Sequence, residues 1–123
     1  MNIRNILAAG WLACSLFGAG CTSPKGEPHQ FGIGHQTFLL DEKPFVIKAA
    51  EMHYTRIPAE YWEHRIEMCK TLGMNTICIY AFWNIHEQQP GQFDFSGQND
   101  IARFCRLAQQ HGMYIMLRPG PYV

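Results

Sequence analysis

The chain has 123 residues, ten acidic and ten basic side chains, a formal net charge of zero and a 47% hydrophobic fraction, the balance of one globular unit at most. It carries no basic stripe, arginine-rich run or aromatic platform with interleaved lysines, so the electrostatic footprint of nucleic-acid binding is missing and nucleic acid is set aside as a partner.

At the start of the chain, Arg4 supplies a positive charge and Ile6 to Phe17 form an apolar run too short to span a bilayer, which predicts an export signal over 1–21. The small residues Gly18, Ala19 and Gly20 lead directly into Cys21, the arrangement of a bacterial lipoprotein cleaved before a cysteine that takes lipid. Plain secretory cleavage nearby is the alternative, since small residues before the cut suit both. The expectation is an exported lipoprotein at the periplasm or cell surface, with a membrane as partner through lipid on Cys21. Thr22 to Gln30 contain two prolines and few apolar residues and predict a tether. Gly32-Ile33-Gly34 reads as a flexible lead-in, so 22–36 is assigned as linker.

Five cysteines in an exported chain raise the question of disulfides, but Cys14 lies in the signal and Cys21 is the lipid candidate. Cys69 and Cys105 fall on apolar helix faces and Cys78 within an apolar strand, which predicts buried thiols instead of bridges.

Thr37 to Leu40 and Phe45 to Ala50 flank Asp41, Glu42, Lys43 and Pro44, a turn composition that predicts a hairpin. Pro58 suits a first helical turn, and Trp62, Ile66, Cys69 and Leu72 follow at helical steps as one buried face, closed by Gly73. Thr76 to Trp83 is nearly continuous apolar sequence, as in a parallel strand covered on both sides. Asp100 opens a second helix with Ile101, Phe104, Cys105 and Ala108 on one face, and Gly112 ends it before the strand Tyr114 to Leu117. The order helix, Gly, Met, strand occurs at LGMNTICIY and recurs at HGMYIMLR. Such repetition implies a parallel α/β sheet, either open and doubly wound or the beginning of an eight-stranded barrel.

Polar residues gather where these strands end: His53, Tyr54 and Arg56, then Asn84, His86 and Glu87, then Arg118 and Tyr122. Both architectures place their sites there. His53, His86, Glu51 and Glu87 raise the possibility of a metal, but HEQQP lacks the second histidine of a zinc-binding helix. Hydrogen-bonded histidines that order the loops are the simpler reading, and no metal or cofactor is expected. RPGPY offers an anion-binding arginine or a structural ion pair. Glycoside chemistry fits better, because sugars take an aromatic wall such as Trp83, hydroxyl partners such as Asn84 or Tyr80, and paired carboxyl groups. The competing view packs Trp83 and Tyr80 into the fold and pairs Glu87 with Arg118.

HYTRIPAEYW, GMNTICIYAFWNIHEQQPGQFDFSG and LRPGPY, in this order and spacing, closely resemble the N-terminal part of the catalytic domain of glycoside hydrolase family 35, the β-galactosidases. The resemblance runs from about Phe38 to Val123. Gln88 stands where the family usually has Pro, and Glu42 replaces a frequent Gly. The resemblance implies that 37–123 are the first strands and helices of a (β/α)8 TIM barrel, truncated after about the third strand. It also implies removal of terminal β-galactose, with retention of configuration, from a β-galactoside oligosaccharide or glycan. The family's acid/base and nucleophile glutamates come from later strands, so both are expected beyond Val123, and no catalytic residue is assigned here. Tyr80 matches the family tyrosine that hydrogen-bonds galactose. Asn84, His86 and Glu87 match a motif that shapes the pocket, and Glu51 falls where relatives vary. A non-catalytic carbohydrate-binding lipoprotein, or an exo-glycosidase for another sugar, are the competing functions.

Overall fold

The computed structural model describes residues 28–122. The expected export signal, with Cys14 and Cys21, therefore lies outside the described residues. Strand β1 (Phe31–Gly34) pairs antiparallel with β2 (Thr37–Leu40), which pairs antiparallel with β3 (Lys43–Phe45). The segment Gly32-Ile33-Gly34, expected as a flexible lead-in, is thus a strand set in register opposite Leu39, Phe38 and Thr37. The turn between β2 and β3 consists of Asp41 and Glu42, both at positive φ (51° and 64°), the two-residue hairpin geometry that favours glycine. The Asp41 carboxylate accepts from the Gln30 N–H at 2.8 Å and contacts His29 Nδ1 at 2.6 Å, contacts that hold its carboxyl below the usual carboxylate range. Pro44 lies on the edge strand, where a missing donor is tolerated.

The run predicted over Phe45 to Ala50 divides between two sheets. Asn75 anchors the break, its Oδ1 accepting from the Lys48 N–H at 2.9 Å and its Nδ2 donating to the Val46 carbonyl at 2.8 Å. Strand β4 (Ala49–Glu51) then begins a second sheet in the order β4-β5-β6, with β5 spanning Thr76–Phe82 and β6 Tyr114–Tyr122, all parallel. Helix α1 (Trp62–Thr71) joins β4 to β5. The short α2 (Trp83–His86) and α3 (Ile101–Gln110) join β5 to β6. The α/β character and the parallel sheet are as predicted, with the antiparallel sheet β1-β2-β3 beside it. Strand β6 runs further than the predicted Tyr114 to Leu117, and Trp83 opens α2 instead of ending β5.

Trp62, Ile66, Ile77, Ile79, Phe104, Ala108 and Met113 pack with Met52 and Tyr54 into one core between the helices and the parallel sheet. Trp62 and Ile66 are buried as predicted and Cys69 is half-buried, but Leu72 is 73% exposed. It lies beyond the last helical residue, so it no longer follows the 3.6-residue phase that points Trp62 and Ile66 inward. Pro58 precedes a 3₁₀ turn (Ala59–Tyr61) instead of opening α1. Asp100 caps α3 as expected, its Oδ1 accepting from the Arg103 N–H at 2.7 Å. Cys69, Cys78 and Cys105 are free thiols, and burial pushes the Cys69 and Cys105 thiols up. Among the described residues, no helix is long and apolar enough to cross a membrane.

Candidate functional site

Side chains alternate along β5: Ile77 and Ile79 enter the core against the helices, so Cys78, Tyr80 and Phe82 face the other way. The parallel register sets Glu51 beside Cys78 and Cys78 beside Met116, and Tyr80 beside Arg118. Neighbours in register share a face, which brings Glu51, Tyr80 and Arg118 onto the side of the sheet away from the helices. His53 joins them. Its ring stands edge-on to Tyr80 and Phe82, with centroids 5.7 and 5.1 Å away, and its Nε2 lies 2.8 Å from Glu51 Oε1.

Tyr80 is the centre of this strip. The Arg118 guanidinium donates to its hydroxyl oxygen, and the Arg118 Cζ lies 4.3 Å from its ring centroid. Arg118 is therefore committed to Tyr80, and the Glu87–Arg118 pair considered from sequence does not form. Glu87 is half-buried and turned into its own loop, where Oε1 accepts from the Gly91 N–H at 2.8 Å. Glu51 and Glu87 have different partners and make no carboxylate pair. Asn84 is exposed on α2. Trp83 Nε1 donates to the Pro119 carbonyl at 3.0 Å, tying α2 to β6.

His86 is fully buried. Its Nδ1 lies 2.9 Å from the Asp94 carbonyl, and its Nε2 meets the Tyr54 hydroxyl. A carbonyl only accepts, so Nδ1 carries the proton and the Tyr54 O–H donates to Nε2. The Asp94 N–H returns a bond to the His86 carbonyl at 2.8 Å. Burial pushes the Tyr54 phenol up to about 12, which keeps it a neutral donor. With both ring nitrogens so engaged, His86 orders its loop, and it does not converge with His53, Glu51 and Glu87 on a common ligand point.

Two organising residues stand out only in the structure. Tyr54 belongs by sequence with the strand-end polar residues, yet it is fully buried. The Asp94 carboxylate accepts from Ser96 N, Ser96 Oγ and Asn99 Nδ2 at 2.9, 2.6 and 2.9 Å. These contacts hold its carboxyl below the usual range. The signal was present in DFSGQND, an Asx-turn composition. Gln98 Nε2 then donates to the Thr55 carbonyl at 2.6 Å and joins the long loop to the one after β4.

The sequence pattern of the family described as Glycosyl hydrolases family 35 matches residues 37–123. A beta-galactosidase of Xanthomonas manihotis is 42% identical over 121 residues, covering 98% of this chain and 20% of that protein. A beta-galactosidase of Felis catus is 46% identical over 104 residues, covering 85% of this chain and 16% of that protein. A beta-galactosidase of Mus musculus is 48% identical over 86 residues, covering 70% and 13%. The chain spans a fifth or less of the length of these curated relatives.

Proposed function

The chain belongs to glycosyl hydrolases family 35, and on that premise we propose that β4, β5 and β6 are the first three strands of the (β/α)8 barrel of an exo-acting β-galactosidase. The enzyme removes terminal β-galactose from oligosaccharides or glycans with retention of configuration. The observation that carries this reading is the strip of Glu51, His53, Tyr80 and Arg118 at the strand ends, on the sheet face away from the helices. A barrel encloses that face and builds its site at that end.

Retention needs two carboxyl groups about 5 Å apart. The family resemblance implies that this pair comes from strands beyond residue 123, and Glu51 and Glu87, bonded to His53 and to Gly91, do not form such a pair. The described residues bind and position. By accepting a charged N–H from Arg118, the Tyr80 oxygen becomes more polarised, and its O–H becomes a stronger donor toward a sugar oxygen. In this reading the exposed Asn84 belongs to the pocket mouth and Glu87 braces its wall through Gly91.

A chain extended through the downstream strands is expected to hydrolyse a nitrophenyl β-galactoside with retention, while the 123-residue chain alone releases no nitrophenol. Turnover by the short chain that Glu87→Gln abolishes would overturn the assignment of the carboxylates. In the extended enzyme, Tyr80→Phe should lower kcat/KM about ten- to a hundred-fold, the loss of a charge-assisted hydrogen bond of roughly 1.5 to 3 kcal/mol. An unchanged value would return Tyr80 to packing.

The leader ending in Cys21 supports export with acylation of that cysteine. Labelling with a fatty-acid analogue should mark the wild type and miss Cys21→Ala; equal labelling of both would remove the anchor.

A further inference from the structure

Glu63, in the first turn of α1, and Glu67, four residues on, lie beside the side chain of His111, just past α3. His111 Nε2 lies 3.0 Å from Glu63 Oε1, and Nδ1 lies 4.0 Å from Glu67 Oε1. One donor atom from each of the three residues falls within 4.8 Å of the others. The imidazole is only 19% exposed, and its backbone is pinned, since Lys70 Nζ donates to the His111 carbonyl at 2.8 Å.

The charges of this cluster are not balanced. Among the described residues, neither glutamate is within 4.0 Å of a lysine or arginine nitrogen; the ion pairs of both are with His111 alone. The nearby Lys70 spends its ammonium on a carbonyl. Two carboxylates at i and i+4 repel, and a single imidazole brings at most one positive charge to the two. The C-terminal end of α3 adds partial negative charge beside them.

We propose that Glu63, Glu67 and His111 form a site for a divalent transition cation of the zinc class, which ties α1 to α3. The donor set selects the ion: an imidazole nitrogen with two carboxylates suits zinc, whereas magnesium and calcium take oxygen alone. In tetrahedral zinc coordination, donors about 2.0 to 2.2 Å from the ion lie about 3.3 to 3.6 Å from one another. Donor atoms within 4.8 Å of one another, one of them a single imidazole nitrogen, approach that spacing by rotation of the two exposed glutamate side chains. Water takes the fourth position on the open side. The site lies beside the α3-to-β6 turn, away from Tyr80, and is independent of the galactoside chemistry.

The test is titration of the 123-residue chain with zinc chloride alone, read by calorimetry and by the thermal unfolding midpoint, with magnesium and calcium chlorides as controls. One zinc should bind and raise the midpoint, and neither control ion should. His111→Gln and the double variant Glu63→Gln/Glu67→Gln should each weaken zinc binding by no less than the roughly ten-fold that losing a mere outer partner of a metal ligand costs. Cobalt(II) distinguishes this site from the thiols: weak visible bands without an intense near-ultraviolet thiolate band are expected. Absence of zinc binding, binding unchanged in both variants, or a thiolate band would each overturn the proposal. The cobalt spectrum of the wild type decides the matter even where a variant fails to fold.

Discussion

At the end of α1 the N–H of Gly73 donates to the Lys70 carbonyl at 2.9 Å and that of Met74 to the Cys69 carbonyl at 3.1 Å. At the end of α3, Gly112 donates to Gln109 and Met113 to Ala108, each at 2.9 Å. Both glycines have positive φ, 82° and 70°, so the two helices end in the same Schellman turn. The strand-to-helix connections differ in length and content, although each includes a 3₁₀ turn. The segment 52–61 passes through two short 3₁₀ turns, while 83–100 contains α2, the buried His86, the Glu87–Gly91 turn and the Asp94 cluster. One end of the unit repeats because its task is to stop a helix and begin a strand. The other end, where the proposed site lies, diverges because loops of unequal length are set on a common frame.

If the two halves share one core, the deepest helix residue of each should matter equally. Trp62 is fully buried, with Nε1 donating to the Tyr54 and Ile57 carbonyls at 3.0 and 2.9 Å, and Phe104 stands edge-on to it with centroids 5.4 Å apart. Trp62→Ala and Phe104→Ala are each expected to cost about 3 to 5 kcal/mol in denaturant unfolding. A cost near zero for either would show that the halves do not depend on one another.

Tyr54→Phe tests the divergent end. It leaves the buried His86 Nε2 without its donor, for an expected loss of about 1 to 3 kcal/mol. Hydrogen exchange should locate the effect in 86–94 and spare the turns at Gly73 and Gly112. Uniform loss of protection would mean that the loop is not separately anchored.

Gly73→Ala and Gly112→Ala test the repeated end. An added Cβ meets nothing within 4 Å at Gly73 and only Lys70 Nζ, at 4.0 Å, at Gly112. The cost is therefore that of the left-handed backbone, about 1 to 2 kcal/mol, and should be the same at both. Clearly unequal values would break the equivalence.

The start of the helices sharpens the contrast by a smaller amount. Asp100→Ala removes a side-chain cap and should cost about 1 kcal/mol. Tyr61→Ala removes none, because α1 has no side-chain cap bond. The difference between the two unfolding energies measures it.

The smallest effect is that of pH on the long loop. The Asp94 carboxyl is held below its ordinary value of 3.8 by Ser96 and Asn99. Its contribution is fully present above that value and lost as pH falls through the lower folded value. Acid should loosen 94–99 in the wild type, whereas Asp94→Asn should show no further loosening over that range. Parallel acid profiles in the two proteins would exclude Asp94 as the titrating group.

What was legible in the sequence was local. Glycine at a helix end, aspartate at a helix start and the spacing of Trp62 with Ile66 act through residues within one or two turns. The residues alone can therefore predict both helices, the central strand and the repeated turn. The motifs also carried the family and singled out Tyr80, because a long run of identical chemistry leaves few alternatives. Pairings across the chain were left to the tertiary structure. Glu87 chose Gly91 over Arg118, Arg118 chose Tyr80, and Tyr54 was drawn beneath the site to His86 across 32 residues. Gly32 and Gly34 became strand because β2 offered them partners. Local backbone preference is written in neighbouring side chains, whereas the choice among distant partners depends on register and burial, which exist only once the strands lie side by side.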